Sequence, residues 1–336
     1  MKLYQHIDEF EKRENAVVTI GTFDGVHLGH QQIIHRLKEL AAQSGGETVI
    51  LTFFPHPRMI LHPEQQDLKL ISTMPEKAEL LRNLGIDHLI ITPFSRDFSN
   101  QSPEDYIRDV LINKIGTKTI VIGYDHRYGK DRSGGLAQMQ EFRMRYGYEV
   151  EEISEQDVHD VAVSSTKIRH AILQGEIGTA NAFLGYKFFL NGKVIRGDQI
   201  GRTLGYPTAN IFVPETYKLI PGDGIYAVTV AVSTQQSGKS YQPVSDLETP
   251  DSRLPSSGSS FKGMAYIGHR PTINGMTRNI EVNIFDFDGD IYDHQIRMDF
   301  HAFIRGDVRF NSLDELTVQL GKDKDDVLRW FGEGEL

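Results

Sequence analysis

Residues 16–30 read Ala16-Val17-Val18-Thr19-Ile20-Gly21-Thr22-Phe23-Asp24-Gly25-Val26-His27-Leu28-Gly29-His30. The apolar run Ala16 to Ile20 reads as a buried strand. A glycine-punctuated turn follows, and a helix opens at Leu28 and runs to Ala42, with Ile33, Leu37 and Leu40 on one face. Gly21 and Gly25 allow tight backbone geometry, and Gly29 allows close approach of a ligand. His27 and His30 are three apart and share a face at the helix start. A helix N-terminus with two imidazole donors suits a polyphosphate. Two ordinary surface histidines in a turn are the plainer alternative. Zinc is not expected, because neither Cys nor HExxH supplies a third ligand.

Outward from this stretch, short apolar runs alternate with helical patterns. Thr48–Phe54, Leu89–Ile91 and Thr119–Ile122 read as strands, and Glu76–Leu84 as a helix. Ser102-Pro103-Glu104-Asp105 opens another helix, with a capping Ser, Pro in the first turn and acids at the positive end. This alternation indicates βαβ units and a doubly wound parallel sheet, which takes ligands beyond the carboxyl ends of its strands. Asp125, just past a strand end, is a candidate on that ground. From Tyr186 the pattern turns β-rich: Lys187–Ile195, Ile225–Val232, Lys262–Ile267, Ile280–Phe287 and Gln295–Phe303. A capping box at Ser312-Leu313-Asp314-Glu315 opens a last helix to about Trp330. The expectation is a small antiparallel β-barrel plus a terminal helix. The boundary is placed near Gly185, giving domains 1–184 and 185–336. Ser233–Ser260, rich in Ser, Gly and Pro, reads as a long mobile insertion. Asp286, Asp288 and Asp290 resemble a calcium loop superficially, but the downstream Glu is missing and strands flank them. A hairpin turn is expected there.

The 336 residues suit two domains of roughly 100–200 residues each. With 39% hydrophobic and 24% charged residues, the chain has ample material for a core, so wholesale disorder is excluded. Absence of Cys removes thiolate metal sites and cysteine nucleophiles and suits a reducing cytoplasm. Lys and Arg total 36 against 46 Asp and Glu, a net charge of −10, which argues against nucleic-acid binding. No apolar run approaches a membrane span, and the charged start lacks a signal core, so neither membrane nor export is expected.

The segment IGTFDGVHLGHQ carries the signature of the HxGH nucleotidyltransferase superfamily. In its extended form it resembles the bacterial bifunctional riboflavin kinase/FMN adenylyltransferase (FAD synthetase) family. Thr52-Phe53-Phe54-Pro55-His56-Pro57 resembles that family's TFxPHP. Gly123-Tyr124-Asp125-His126-Arg127-Tyr128-Gly129 resembles GxDFRFG, with His126 and Tyr128 where Phe is usual. Ser164-Ser165-Thr166-Lys167-Ile168-Arg169 resembles SSTxIR. Hydroxyls and free N–H groups at a helix start, with an Arg one turn on, can form a triphosphate grip; taken alone the segment reads as an N-cap with a surface Arg, and beside HxGH as the grip. Gly201-Arg202-Thr203-Leu204-Gly205-Tyr206-Pro207-Thr208-Ala209-Asn210 resembles the kinase motif GRxLGFPTAN, read here as a flexible flap. Thr208 and Asn210, two apart on an extended segment, offer hard oxygen ligands for Mg²⁺. Glu281 begins a strand ahead of Phe285-Asp286-Phe287-Asp288-Gly289-Asp290, where the family has its catalytic Glu. Tyr266 stands where the family usually has Asn.

The resemblance implies an ATP-dependent enzyme that phosphorylates riboflavin to FMN and then adenylylates FMN to FAD, with Mg²⁺. It assigns His27, His30 and Arg169 to catalysis in the first domain and Glu281 to proton removal in the second. Gly21, Phe23, Asp24, Gly29, Ser164, Ser165 and Thr166 would contact one ATP, and Gly201, Gly205 and Pro207 the other. Asn100 and Asp125 would hold flavin; His56 is either a flavin contact or a capped loop residue. Two alternatives stay open here: a nucleotidyltransferase for another substrate with the barrel as a binding module, or a non-catalytic nucleotide-binding regulator.

Overall fold

In the computed structural model, the described residues are 1–64, 68–124, 126–153, 163–197, 200–236, 260–272 and 275–333. Asp125 and most of the Ser233–Ser260 insertion lie outside them. Contacts divide the described chain into a first unit, Met1–Ser165, and a second from Thr166 onward.

The run that reads as a strand is β2 (Ala16–Ile20), buried along its whole length, as a central strand covered on both faces must be. Its companions are β1 (Lys2–Tyr4), β3 (Glu47–Phe53), β4 (His88–Thr92), β5 (Thr117–Gly123) and β6 (Glu149–Ile153). All pair in parallel, in the order β1-β4-β3-β2-β5-β6. The helices are α1 (Leu28–Ser44), α2 (Pro57–Leu61), α3 (Met74–Asn83), α4 (Arg96–Ser99), α5 (Pro103–Asp105) and α6 (Leu136–Tyr146). A π-helical stretch, Tyr106–Ile115, continues α5. Successive strand residues feed opposite apolar layers: Val18, Leu51 and Ile120 join one, Val17, Ile50 and Val121 the other. Helix α1 buries Ile34, Leu37 and Ala41 most deeply. Ile33 and Leu40, expected to lead that face, flank it and are only partly buried.

The chain moves outward from β2 to β3 and β4, then returns to the far side of β2 for β5 and β6. That reversal sets the carboxyl ends of β2 and β5 side by side, which is where doubly wound sheets take ligands. The glycine-rich segment leaves β2 at this edge.

The second unit begins with α7 (Ser165–Leu173, all but its first residue) and α8 (Ile177–Leu184). A closed antiparallel barrel follows: β7 (Phe189–Ile195), the short α9 (Ile200–Thr203), β8 (Ala209–Phe212), β9 (Gly224–Gln236), β10 (Phe261–Thr272), β11 (Gly275–Ile284) and β12 (His294–Arg305). Its order is β10-β11-β8-β7-β12-β9. The expected boundary, Gly185, is the C-cap of α8, and both helices before it bond to the barrel. Gly222 donates its N–H to Ile172 O at 3.2 Å. Asn181 donates to Phe300 O at 2.9 Å and accepts the Phe188 N–H at 2.7 Å. The terminal helix α10 (Leu313–Glu333) packs Val327, Trp330 and Phe331 against Ile225, Ala227 and Met264. Its fully buried Asp323 takes a two-pronged hydrogen bond from Arg305 at 2.7 and 2.6 Å.

Three expectations need correction. Strand β9 continues through Gln236, where His294 is its partner, so the insertion begins later than Ser233. Segment 285–293 is not a hairpin turn: it joins β11 to β12, which β8 and β7 separate in the barrel. The GRTLG flap contains a helical turn, α9, closed by the Tyr206 N–H on Gly201 O at 2.8 Å.

Candidate active sites

Between β2 and α1 the backbone is left-handed at Phe23 (φ 46°), Gly25 (φ 80°) and Val26 (φ 39°). Glycine adopts this freely, but a β-branched Val does so only under restraint, at about 1–3 kcal/mol. The restraint is visible. Gly21 donates to Leu51 O at 3.1 Å. Asp24 Oδ1 accepts the Ser72 N–H at 3.2 Å, and Gly25 donates its N–H to Ser72 Oγ at 3.1 Å. Thr22 O accepts from Lys77 Nζ at 2.6 Å and from Thr52 Oγ1 at 3.3 Å. A Cβ on Gly25 would meet Ile71 Cγ2 at 2.9 Å. Ser72, Lys77 and Thr52 were not foreseen as site residues. Nothing in the sequence near them marks the role, because tertiary contacts bring them to the loop.

The loop aims two imidazoles. His27 caps α1, its Nδ1 accepting the His30 backbone N–H at 3.4 Å. An accepting Nδ1 leaves the proton of the neutral ring on Nε2. The rings of His27 and His30 stack at 3.7 Å, and Phe23, 2% exposed, backs His30 at 4.9 Å. Phe23 and Asp24 therefore hold the loop from within. His30 Nδ1 is sealed from solvent with no hydrogen-bond partner. Burial, then the neighbouring His27 and Lys77, pushes the His30 pKa well below the usual histidine range. The two stacked rings beside the α1 N-terminus, His30 held neutral by its burial, can donate to an anion. Gly29 is buried in the first turn.

The remaining candidates of the first domain follow strand ends or flank the start of α7. Ser165, first residue of α7, donates from Oγ to Asp24 O at 3.1 Å. Ser164 precedes that helix; Thr166 and Arg169 lie within it. His56 follows β3 and caps α2, its Nδ1 accepting the Arg58 N–H at 3.1 Å. Asn100 follows β4 as the exposed C-cap of α4.

A second group was not foreseen. Phe53, Phe94 and Phe98 have ring centroids 5.4–6.0 Å apart. Phe98 continues to Tyr106 at 5.9 Å, and Tyr106 to Tyr128 at 5.5 Å. Within this aromatic run the Tyr106 and Tyr128 hydroxyls are buried without a hydrogen-bond partner. Burial raises both phenols far above their ordinary range. Planar apolar faces with neutral hydroxyls suit a flat heteroaromatic ring.

In the barrel, β8 meets β11 at Asn210↔Glu281, and Thr208 immediately precedes β8. Glu281 is 8% exposed; its Oε2 accepts from Thr208 Oγ1 at 2.9 Å and its Oε1 from Asn279 Nδ2 at 2.5 Å. Asn283, on the same strand face, donates to Pro207 O at 2.6 Å and ties down the PTAN segment. Gly205 is left-handed (φ 82°) at the end of α9, and Gly201 has Tyr206 O where a Cβ would lie. Tyr266 is the β10 register partner of Glu281 and donates to Asp307 at 3.4 Å. Asn279 and Asn283 had no distinguishing signal beyond their period-2 spacing from Glu281.

Comparison with known proteins bears on both sites. Family models for FAD synthetase and riboflavin kinase match residues 9–167 and 184–331. The bifunctional riboflavin kinase/FMN adenylyltransferase of Listeria monocytogenes is 35% identical over 96% of this chain and 94% of its own. This chain belongs to the bifunctional riboflavin kinase/FMN adenylyltransferase family. The family members from Bacillus subtilis and Escherichia coli are 33% and 31% identical, over 96% and 99% of this chain and 94% and 98% of theirs. A crystal structure described as a macrolide-efflux protein from Streptococcus pneumoniae aligns with a TM-score of 0.82 at 28% identity, covering 98% of each chain. No helix among the described residues is long and apolar enough to cross a membrane. In this riboflavin kinase/FMN adenylyltransferase, the synthetase match falls on the parallel-sheet half and the kinase match on the barrel half.

Proposed function

We propose that the two activities are divided between the halves, residues 1–184 adenylylating FMN and residues 185–336 phosphorylating riboflavin. The enzyme is a riboflavin kinase and FMN adenylyltransferase of flavin cofactor synthesis. The observation that carries the division is the presence of two unlike constellations: stacked imidazoles at a helix N-terminus in one half, and a buried carboxylate bonded to a Thr in the other.

In the first half, a phosphate oxygen of FMN attacks the α-phosphorus of ATP; the new O–P bond forms as pyrophosphate leaves. His27 and His30 donate to the transferring phosphate. Ser164, Ser165, Thr166 and Arg169 take the departing β/γ end. Gly21 and Gly29 leave room for the nucleotide. The aromatic run from Phe53 to Tyr128 stacks the flavin ring, with His56 and Asn100 as its polar contacts; Asp125, the other flavin candidate, lies outside the described residues.

In the second half, the terminal hydroxyl of riboflavin attacks the γ-phosphorus, its proton passes to Glu281, and ADP leaves. Asn279 and Thr208 orient the carboxylate. Gly201, Gly205 and Pro207 carry backbone against ATP. The donor set fits Mg²⁺: the Thr208 hydroxyl, Asn210 amide and Glu281 carboxylate oxygens adjoin where β8 meets β11, hard donors that such an ion takes together with substrate phosphates. When bound, Mg²⁺ neutralises phosphate charge; Thr208 and Asn210 would hold it. We place the enzyme in the cytoplasm, which suits a chain without Cys.

The test is His30→Ala, incubated with ATP, Mg²⁺ and riboflavin and resolved by chromatography. FAD formation should fall by roughly 10²–10³ while FMN still accumulates. Loss of both products from a folded variant would refute the division.

A further inference from the structure

Lys77, in the first turn of α3, is 2% exposed. A buried ammonium is costly unless it is bonded and paired. Its hydrogen bonds run to Thr22 O at 2.6 Å and, weakly, to Met74 Sδ at 3.7 Å. Among the described residues no carboxylate lies within ion-pair distance of Nζ. The charge is instead placed under the strained phosphate-facing loop, with Asp24 as its favourable partner at longer range. A Thr73–Glu76 capping box fixes the helix start that presents it. Thr22 immediately precedes the left-handed Phe23, so the Lys77 bond anchors the loop where its strain begins.

We propose that Lys77 is a positioning residue for adenylyl transfer: it pins the Thr22 carbonyl, so that His27 and His30 stay aimed, and supplies a fixed positive charge beneath the loop that favours the triphosphate. This rests on the assignment of the HxGH loop to ATP. The groups facing this charge are Asp24 in the loop and His30 on α1. Burial pushes the Lys77 pKa down to about 8, with Asp24 opposing the shift. Lys77 therefore loses its charge as pH rises through about 8 in the free enzyme. A bound triphosphate, being anionic, favours the protonated form and draws a proton in.

The experiment compares wild type with Lys77→Met across pH 7–9.5, reading kcat/KM for ATP in FMN adenylylation, with riboflavin phosphorylation on the same preparation as control. Near pH 7 the variant should be about 30–100-fold slower in adenylylation with phosphorylation unchanged. The ratio should shrink above pH 9, where the wild-type lysine is itself neutral. A ratio that is constant with pH, or near one throughout, overturns the proposal. If Lys77→Met does not fold, calorimetry of ATP binding to wild type at pH 8.5, in buffers of different ionisation enthalpy, decides. Net proton uptake supports the proposal, and none refutes it. His30→Ala separates the two claims: if it too leaves adenylylation intact, the assignment of the loop fails; if it alone is inactive, only the role of Lys77 fails.

Discussion

A carboxylate that accepts two hydrogen bonds is oriented before substrate arrives. Glu281 has one oxygen on Thr208 and the other on Asn279. Glu281→Gln keeps the shape but cannot take a proton. Loss of a general base usually costs roughly 10²–10⁴ in rate, and a loose phosphoryl transfer places the loss at the low end. FMN-to-FAD conversion should be nearly unchanged, as should riboflavin affinity measured by fluorescence. Near-normal kinase turnover would rule out the base role. At Gly25 the issue is backbone, not chemistry. Its φ of 80° costs a residue with a Cβ about 1–2 kcal/mol, and Ile71 must also shift. Gly25→Ala should lower the thermal midpoint and depress adenylylation more than phosphorylation; an unchanged midpoint would show that the loop relaxes freely. The sequence marked Gly25 and Glu281 through their motifs. It did not mark Ser72, Lys77 or Asn283, because their roles arise only when strands and loops distant in the chain meet.

Strands β9 and β10 are antiparallel neighbours, paired from Phe261↔Val230 to Ile267↔Gly224. Neighbouring strands of that kind can be joined by a short turn, so the insertion between them is not needed to close the barrel. Deleting residues 237–257 should leave a folded enzyme with both activities, since closure entropy depends weakly on loop length. Thermal unfolding and both product rates check this. A large fall in stability would mean that the segment packs, and a loss of phosphorylation alone would mean that it serves the kinase site. Elements differed in legibility for a physical reason. β2 reads plainly because it is central and apolar at every position but Thr19. β6, Glu149–Ile153, carries three acids on a partly exposed edge and has no apolar signature. β1 and β8 are too short for periodicity to register.

At the scale of the molecule, the helices α7 and α8 bear on where the chain can be cut. Ile168, Ile172, Ile177, Ala180 and Leu184 are buried, and Asn181 bonds to the β12 backbone. A fragment of residues 166–336 should therefore unfold at a higher temperature than one of residues 185–336, by several degrees or more. Both should retain riboflavin phosphorylation if they fold. Equal midpoints would show that the two helices add nothing to the barrel.

Composition and local pattern by themselves determined the two-part architecture, the parallel sheet followed by a barrel, and the glycine-rich turn that leads into the helix bearing His30. Each depends on periodicity or on glycine placement over a few residues, which a sequence displays directly. Tertiary structure alone decided which strands adjoin, and so three further matters. Segment 285–293 links strands that never pair, neighbouring Tyr106 and Tyr128 bury their hydroxyls, and Lys77 bonds to Thr22, 55 positions away in the chain. Such contacts follow from closure of the sheet and the barrel, where the free energy of burial is shared over the whole core and no local stretch records it.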